Sequence, residues 1–184
     1  INSDTDTMLD GSSLQFSSLV YPLVDGTYEW SVSGREGASI DNNGLLIVSE
    51  SGLDNSSVVV NLKFTSVEGE VLNASKNILV EKRIYPSADS ISIIGEEDPR
   101  TSPVYSWETT TTGVNGDIIA EWAIGGSASS YWEISNSTSV TCVLTKKKPM
   151  VQNTSGTLSL ILKKKFNNSI IATVTKNLNM TVVF

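Results

Sequence analysis

The stretch Tyr28-Glu29-Trp30-Ser31-Val32-Ser33-Gly34 decides the fold of this chain, because it returns once as Ala120-Glu121-Trp122-Ala123-Ile124-Gly125-Gly126. Both copies place the dipeptide Glu-Trp in a run that alternates between bulky and small or polar residues. The two tryptophans lie 92 residues apart (122 − 30), which is close to the length of one small β-domain. The repeat therefore predicts two copies of one β-sandwich in tandem.

Alternation with period two extends well beyond the repeat. Apolar residues occupy positions 58, 60, 62 and 64 and return at 158, 160 and 162, in each case with mostly polar neighbours. This period puts bulky groups on one face of a strand, as a one-sided antiparallel sheet requires. Turn signals such as Asn43-Gly44 separate the runs. The chain is thus predicted to be all-β, with Trp30 and Trp122 filling the space between two sheets.

The boundary between the copies is predicted near Tyr85-Pro86, where a proline stops the last strand of the first copy. This gives domain 1 as residues 1–84 and domain 2 as residues 85–184. The first copy carries 12 acids and 5 bases, a net charge of −7, whereas the second carries 8 of each. An acidic chain lacks the cationic face that a general nucleic-acid binder needs, so no nucleic-acid partner is expected.

The chain has no histidine and a single cysteine, Cys142. Triads built on Ser-His or Cys-His are therefore excluded, as are an internal disulfide and the usual zinc sites. Cys142 alternates with polar neighbours, which favours a small buried hydrophobic residue over a reactive thiol. No stretch reaches the roughly 20 apolar residues of a membrane helix, so direct membrane insertion is not expected. We predict that the chain is not an enzyme.

The first copy resembles the bacterial group 2 immunoglobulin-like repeats of intimin- and invasin-type adhesins. The likeness rests on the tryptophan strand at 28–34, on an Ile-Asp-x-x-Gly-Leu hairpin within 38–48 (ASIDNNGLLIV), and on the closing strand at 74–78. It covers roughly residues 5–82. In the second copy Ile134-Ser135-Asn136-Ser137-Thr138 stands where the hairpin is expected, and its glycine is missing. The resemblance implies two tandem immunoglobulin-like antiparallel β-sandwiches.

The resemblance also implies an extracellular, non-catalytic module. Similar repeats occur on bacterial cell surfaces and on phage particles. We therefore expect a structural or adhesive part of a larger bacterial surface protein or phage virion protein. Its expected partners are other modules of the same chain or assembly, or surface glycans and other polyanions. The alternative is a carbohydrate-binding module or an accessory domain of a secreted enzyme.

Two lysine triplets are candidate binding residues: Lys146, Lys147 and Lys148 in one, and Lys163, Lys164 and Lys165 in the other. Both follow apolar strands. If they share one end of the domain, they form a cationic patch suited to an acidic glycan, a phosphate-rich surface or the acidic domain of a neighbouring copy. The alternative is that they are solvated strand-edge lysines that block sheet-to-sheet aggregation.

Three aromatic residues, Tyr131, Trp132 and Trp107, are the candidates for carbohydrate stacking. Trp132 follows the polar loop 125–130 (GGSASS), and an aromatic ring at a loop tip suits a sugar or a partner surface. The alternative is that Trp132 caps the end of the core.

No cofactor is expected, and calcium is the one metal that the composition leaves open, because it binds oxygen ligands alone. The pattern Asp4-x-Asp6-x-x-x-Asp10 begins like a calcium loop, and Glu96-Glu97-Asp98 is a second acidic group. The first pattern lacks the glycine bend, and Gln15 stands where a bidentate glutamate belongs. Solvated loops are the alternative for both.

Overall fold

A computed structural model describes residues 1–21, 23–52 and 55–182. The chain divides into two compact units, Ile1–Arg83 (unit 1) and Ile84–Phe184 (unit 2). This division falls one residue before the boundary drawn from the sequence. No helix in the described ranges is long and apolar enough to cross a membrane.

The described residues of unit 1 form seven strands in two sheets. They are β1 Thr7–Leu9, β2 Ser13–Gln15, β3 Gly26–Ser33, β4 Ala38–Ile40, β5 Leu45–Val48, β6 Ser56–Ser66 and β7 Val71–Glu81. One sheet has the order β1-β7-β6-β3 and the other β2-β5-β4. All pairs are antiparallel except β1 with β7. Trp30 on β3 stands opposite Leu62 on β6.

Seven strands also occur in unit 2 between residues 84 and 182. They are β8 Ile91–Ile94, β9 Val104–Thr109, β10 Ile118–Gly126, β11 Trp132–Ser137, β12 Thr141–Lys146, β13 Thr154–Lys164 and β14 Ile170–Met180. Short 3₁₀ helices occur at Ala88–Ser90 and Ser127–Ser130. The sheets have the orders β8-β9-β12-β11 and β10-β13-β14. Trp122 on β10 stands opposite Leu160 on β13.

The strand order of unit 2 is that of a constant-type immunoglobulin sandwich. Its first, second, fifth and fourth strands form one sheet, and its third, sixth and seventh form the other. Unit 1 keeps this plan except that its first strand, β1, has moved beside its seventh. The prediction of two immunoglobulin-like antiparallel β-sandwiches is therefore confirmed.

The core of each unit lies between its sheets and follows the period-two pattern. In unit 1 the fully buried side chains include Leu46, Val58, Val60, Ile78 and Val80; in unit 2 they include Tyr105, Cys142, Leu158, Leu160, Leu162 and Leu178. Trp30 and Trp122 are partly buried and pack against these clusters. Each indole therefore covers the edge of its core, and neither ring lies in bulk solvent.

The hairpin between β4 and β5 explains why a glycine occurs there. The Asp41 carboxylate accepts hydrogen bonds from the N–H groups of Asn43 (2.9 Å) and Leu45 (2.8 Å), which closes a tight turn. Gly44 has φ of +80°, and a Cβ there would lie 3.2 Å from the Trp30 ring and 2.8 Å from the Phe16 carbonyl. Only glycine satisfies both constraints.

Unit 2 closes the equivalent turn without a glycine. The Thr138 hydroxyl accepts hydrogen bonds from the N–H groups of Val140 (3.1 Å) and Thr141 (2.9 Å), and the Thr138 N–H donates to the Thr141 carbonyl. This turn is one residue shorter than that of unit 1. Its closing backbone hydrogen bond joins Thr138 to Thr141, three positions apart, whereas the bond in unit 1 joins Asp41 to Leu45, four positions apart. A hydroxyl thus replaces the carboxylate, and the missing glycine is not needed.

Candidate binding surface

The two lysine triplets lie at opposite ends of unit 2. Lys163 pairs with Ile119 at the start of β10, whereas the Lys147 ammonium bonds the carbonyl of Ser129, beyond the end of β10. The nine residues of β10 separate these points by roughly 25 Å. The hypothesis of one shared cationic patch is therefore wrong.

The lysines of the two triplets also have different surroundings. Lys163 forms an ion pair with Glu121 at 2.6 Å, and the Lys164 ammonium lies 4.7 Å from the Tyr85 ring centroid. Lys165 is exposed. In the other triplet all three residues are exposed, and the Lys148 ammonium lies 5.0 Å from the Tyr131 ring centroid. Lys146, Lys147 and Lys165 fit the alternative of solvated lysines near strand ends, whereas Lys163 is held in an ion pair and Lys148 and Lys164 lie close to aromatic rings.

The aromatic candidates face inward. Tyr131 is 8% exposed and Trp132 is 5% exposed, and both belong to the core of unit 2. Trp107 is partly buried, and its indole N–H donates to the Ser139 carbonyl at 2.8 Å. Trp107 therefore ties β9 to the β11–β12 turn. A sugar ring needs an exposed aromatic face, so the structure supports the alternative, in which Trp132 caps the core.

The acidic stretch 4–10 does not converge on a common point. The Asp10 side chain is buried and accepts hydrogen bonds from the N–H groups of Ser51 and Gly52, both at 2.9 Å, and from Arg35 at 2.5 Å. Asp6 forms an ion pair with Lys76 at 2.7 Å. Within the described ranges no three acidic, histidine or cysteine side chains are placed to hold a metal. Asp10 is thus the counterion of Arg35, and calcium binding stays a prediction.

The second acidic group is also divided among protein partners. The Glu97 carboxylate accepts a hydrogen bond from the Asn179 side-chain amide at 3.0 Å. Arg100 forms an ion pair with Asp98, and the hydrogen bonds from its guanidinium lower the pKa of the Asp98 carboxyl. These contacts fasten the segment 97–100 to the end of β14.

A surface that sequence reasoning missed lies at one end of unit 1. It is formed by residues 18–21 and 23–25 of the β2–β3 connection and by residues 66–72 of the β6–β7 hairpin. The two segments are joined by a hydrogen bond from the Val67 N–H to the Asp25 carbonyl at 3.1 Å. We call this surface the loop end of unit 1. It lies opposite the end at which β7 leads to Arg83.

The loop end exposes an unusual amount of large apolar side chain. Tyr21 is 91% exposed and Leu23 is 81% exposed, and the other exposed apolar residues here are Leu19, Val24, Val67, Val71 and Leu72. Soluble monomers seldom expose apolar groups in such a contiguous cluster unless the cluster has a partner. The loop end is therefore the strongest candidate for a binding surface in unit 1.

Two adjoining grooves shape the loop end. The first, about 300 Å³, is mainly apolar and is lined by Ile1, Leu19, Tyr21, Phe64 and Leu72, among others. The second, about 360 Å³, is lined by Leu23, Val24, Ser66 and Val67 together with three carboxylates, Asp25, Glu68 and Glu70. The arrangement suits a partner that presents an apolar side chain next to a cation.

A sequence signal for this surface exists. Residues 19–24, LVYPLV, are six consecutive apolar residues that do not alternate with polar ones. A strand of a one-sided sheet alternates, whereas an exposed apolar run in a loop points to a contact. Pro22 lies outside the described residues.

Comparison with known proteins yields structural likenesses alone, since no family model and no curated protein matches the chain. Murine CEACAM1b is similar at 11% identity over 98% of both chains, with a TM-score of 0.33. The amphioxus IgVJ-C2 molecule is similar at 13% identity over 96% of this chain and 99% of its own, with a TM-score of 0.27. The human desmocollin-1 ectodomain is similar at 12% identity over 98% of this chain and 36% of its own, with a TM-score of 0.33. The fold stated above rests on strand order and register.

Proposed function

We propose that the chain is a non-catalytic structural and adhesive module of a larger extracellular protein, on a bacterial surface or a phage particle. It acts by geometry: two sandwiches carry a contact surface at the loop end of unit 1. The observation that carries this proposal is the exposed apolar cluster beside the carboxylates of Asp25, Glu68 and Glu70.

The side-chain chemistry of the chain supports a non-catalytic role. The chain has no histidine, and burial raises the pKa of the Cys142 thiol to about 12, which keeps it protonated and inert at neutral pH. Burial likewise raises the pKa of Tyr105 to about 12. Both groups therefore serve as packing residues of unit 2.

Immunogold electron microscopy with antibodies against the 184-residue chain tests the proposed location. We expect labelling of the outer surface of intact bacterial cells or of purified phage particles from the source. Labelling confined to the cytosol of sectioned cells contradicts the proposal.

A glycan array tests the adhesive part against the carbohydrate alternative. Since Tyr131 and Trp132 are buried, we expect no binding that depends on them. Strong binding to one glycan that is lost in W132F, with unit 2 still folded, would instead favour the carbohydrate-binding module.

A further inference from the structure

We propose that the loop end of unit 1 binds the β13–β14 hairpin of a second copy of this chain, so that copies associate head to tail. The inference rests on the proposed function and names the partner of the same surface. Three observations carry it: the shape of the hairpin, the charges of the two surfaces, and the match between their apolar groups.

The hairpin ends in a turn that is closed by its own hydrogen bonds. Its turn, residues 165–169, is closed by hydrogen bonds from the Asn168 N–H to the Lys164 carbonyl and from the Lys164 N–H to the Ser169 carbonyl, both 2.9 Å. Asn168 adopts the left-handed conformation with φ of +58°. A turn held in this way loses little conformational entropy on binding.

The hairpin presents apolar groups beside cations. Phe166, inside the turn, is 52% exposed, and Ile170, directly after it, is 63% exposed. The Lys164 ammonium lies 5.7 Å from the Phe166 ring centroid, and Lys165 is exposed next to it. The hairpin therefore carries an aromatic ring that directly follows Lys164 and Lys165 in sequence.

The loop end of unit 1 has the complementary arrangement. Its apolar groove, lined by Leu19, Tyr21 and Leu72, has room for one phenyl ring. The adjoining groove holds the carboxylates of Asp25, Glu68 and Glu70, which suit a lysine. Unit 1 carries the whole net charge of −7, so two loop ends repel each other, whereas the carboxylates of a loop end attract the lysines of a hairpin.

The predicted association is heterologous, because a surface of unit 1 meets a different surface of unit 2. Such contacts leave a free surface of each kind at the ends of a dimer, so assemblies grow with concentration. The contact area is small, so weak association is expected for the isolated chain.

Sedimentation equilibrium of the full chain tests the proposal. Between about 10 µM and about 1 mM at low salt, we expect the mean mass to rise above the 19.8 kDa of one chain, and about 0.5 M NaCl to reverse most of the rise. F166S should lower the association constant roughly tenfold. A mass that stays at one chain throughout overturns the proposal.

The decisive experiment repeats this measurement with variants in which charges are reversed. E68K/E70K and K165E should each abolish association alone, whereas an equimolar mixture of the two variants should restore it. In the mixture the unchanged loop end of K165E meets the unchanged hairpin of E68K/E70K, and the two reversed surfaces also attract each other. K146Q/K147Q/K148Q is the control, since that triplet lies at the other end of unit 2, and it should leave association unchanged. A mixture that stays monomeric, or a control that fails equally, overturns the proposal.

These outcomes separate the two proposals. A monomeric chain that still labels the cell or particle surface leaves the proposed function standing with another partner. Association combined with cytosolic labelling removes the proposed function and leaves the self-contact.

Discussion

The first strand follows different paths in the two units. In unit 1 the Leu79 N–H donates to the Asp6 carbonyl at 2.9 Å, and β1 then continues along β7 in parallel. In unit 2 the corresponding bond exists, from the Asn179 N–H to the Glu97 carbonyl at 3.2 Å, but no strand follows. Pro99 comes two residues after Glu97 and has no N–H to donate to a ladder. A strand that continued along β14 would need an N–H at this position, which Pro99 cannot supply.

The units also differ in how they fill the end of the sandwich beyond their third strand. Unit 1 buries an ion pair there, between Asp10 and Arg35, whose side chains are 1% and 2% exposed. Unit 2 uses backbone and small side chains: Ala128 is fully buried, and Gly126 stands opposite Gly156 in the ladder. The comparison teaches that the same end of the sandwich can be filled by a buried ion pair or by backbone and small apolar groups.

The largest expected effect comes from removing one partner of the buried ion pair of unit 1. D10A leaves the Arg35 guanidinium buried without its counterion, which should destabilise unit 1 by about 3–5 kcal/mol. Hydrogen exchange in urea, read on β6 for unit 1 and on β13 for unit 2, measures the loss in each unit. D10A/R35M should recover a large part of it, because an apolar pair carries no desolvation penalty. Equal loss in both units would contradict the assignment.

The second largest effect is expected from adding a methyl group at the packed end of unit 2 beyond β10. A Cβ on Gly156 would lie 2.2 Å from the Gly125 carbonyl oxygen and 2.6 Å from the Ala128 Cβ. G156A should therefore cost unit 2 about 3 kcal/mol. The control is G69A, where φ is +88° and nothing lies within 4 Å, so that backbone conformation alone should cost about 1 kcal/mol. If the two variants lost similar amounts of unfolding free energy, the end of unit 2 around Gly156 would be loosely packed.

Alkaline pH should weaken unit 2 in particular. Burial raises the pKa of both Cys142 and Tyr105 to about 12, from 9.0 and 10.0. Because the unfolded chain releases these protons first, their contribution is complete below about pH 9 and is lost as the pH rises towards 12, by roughly 2 kcal/mol at pH 10. Thermal unfolding between pH 8 and pH 11 checks this, and C142A should flatten the profile. If C142A showed the same dependence of thermal stability on pH, the Cys142 thiol would not be a cause of the alkaline weakening.

The smallest effect concerns the glutamate of each Glu-Trp repeat. Glu29 pairs with Lys63 at 3.3 Å and Glu121 pairs with Lys163 at 2.6 Å, both on exposed sheet faces. E29Q and E121Q should each cost less than about 1 kcal/mol, with E121Q the larger because its pair is closer. The difference should vanish in about 0.5 M NaCl. A cost that persists in salt would indicate a role beyond pairing.

The repeat around Trp30 and Trp122 predicts the fold because it combines two independent patterns. Period-two alternation sets which residues face the core, and the recurrence after 92 residues sets the number of sandwiches. The position of β1 beside β7 was not predicted, because it depends on backbone hydrogen bonds to β7, a strand about 70 residues away in sequence. Likewise, nothing local in Asp10 marks it as the partner of Arg35, 25 residues away.

The candidate site was predicted less well than the fold. Aromatic residues beside a flexible loop favour exposure, yet Trp132 and Tyr131 turn inward because the 3₁₀ helix Ser127–Ser130 leads them back under the sheet. The prediction that the two lysine triplets share one end was based on their common position after apolar strands. The structure places them at opposite ends of unit 2, because β10 and β13 run antiparallel and each triplet lies near a different end of this pair. The run 19–24 had the signal of a contact surface, because its apolar residues do not alternate.

By itself the sequence determined the extended backbone, the two cores, the uneven charge and the absence of histidine chemistry, since each follows from residue type and spacing. Tertiary structure decided which side chains share a surface: the apolar cluster beside Asp25, Glu68 and Glu70, the buried ion pair of unit 1, and the separation of the lysine triplets. The reason is physical. Alternation is a property of neighbours along one strand, whereas a surface forms from connections that meet only when strands distant in sequence pair in register.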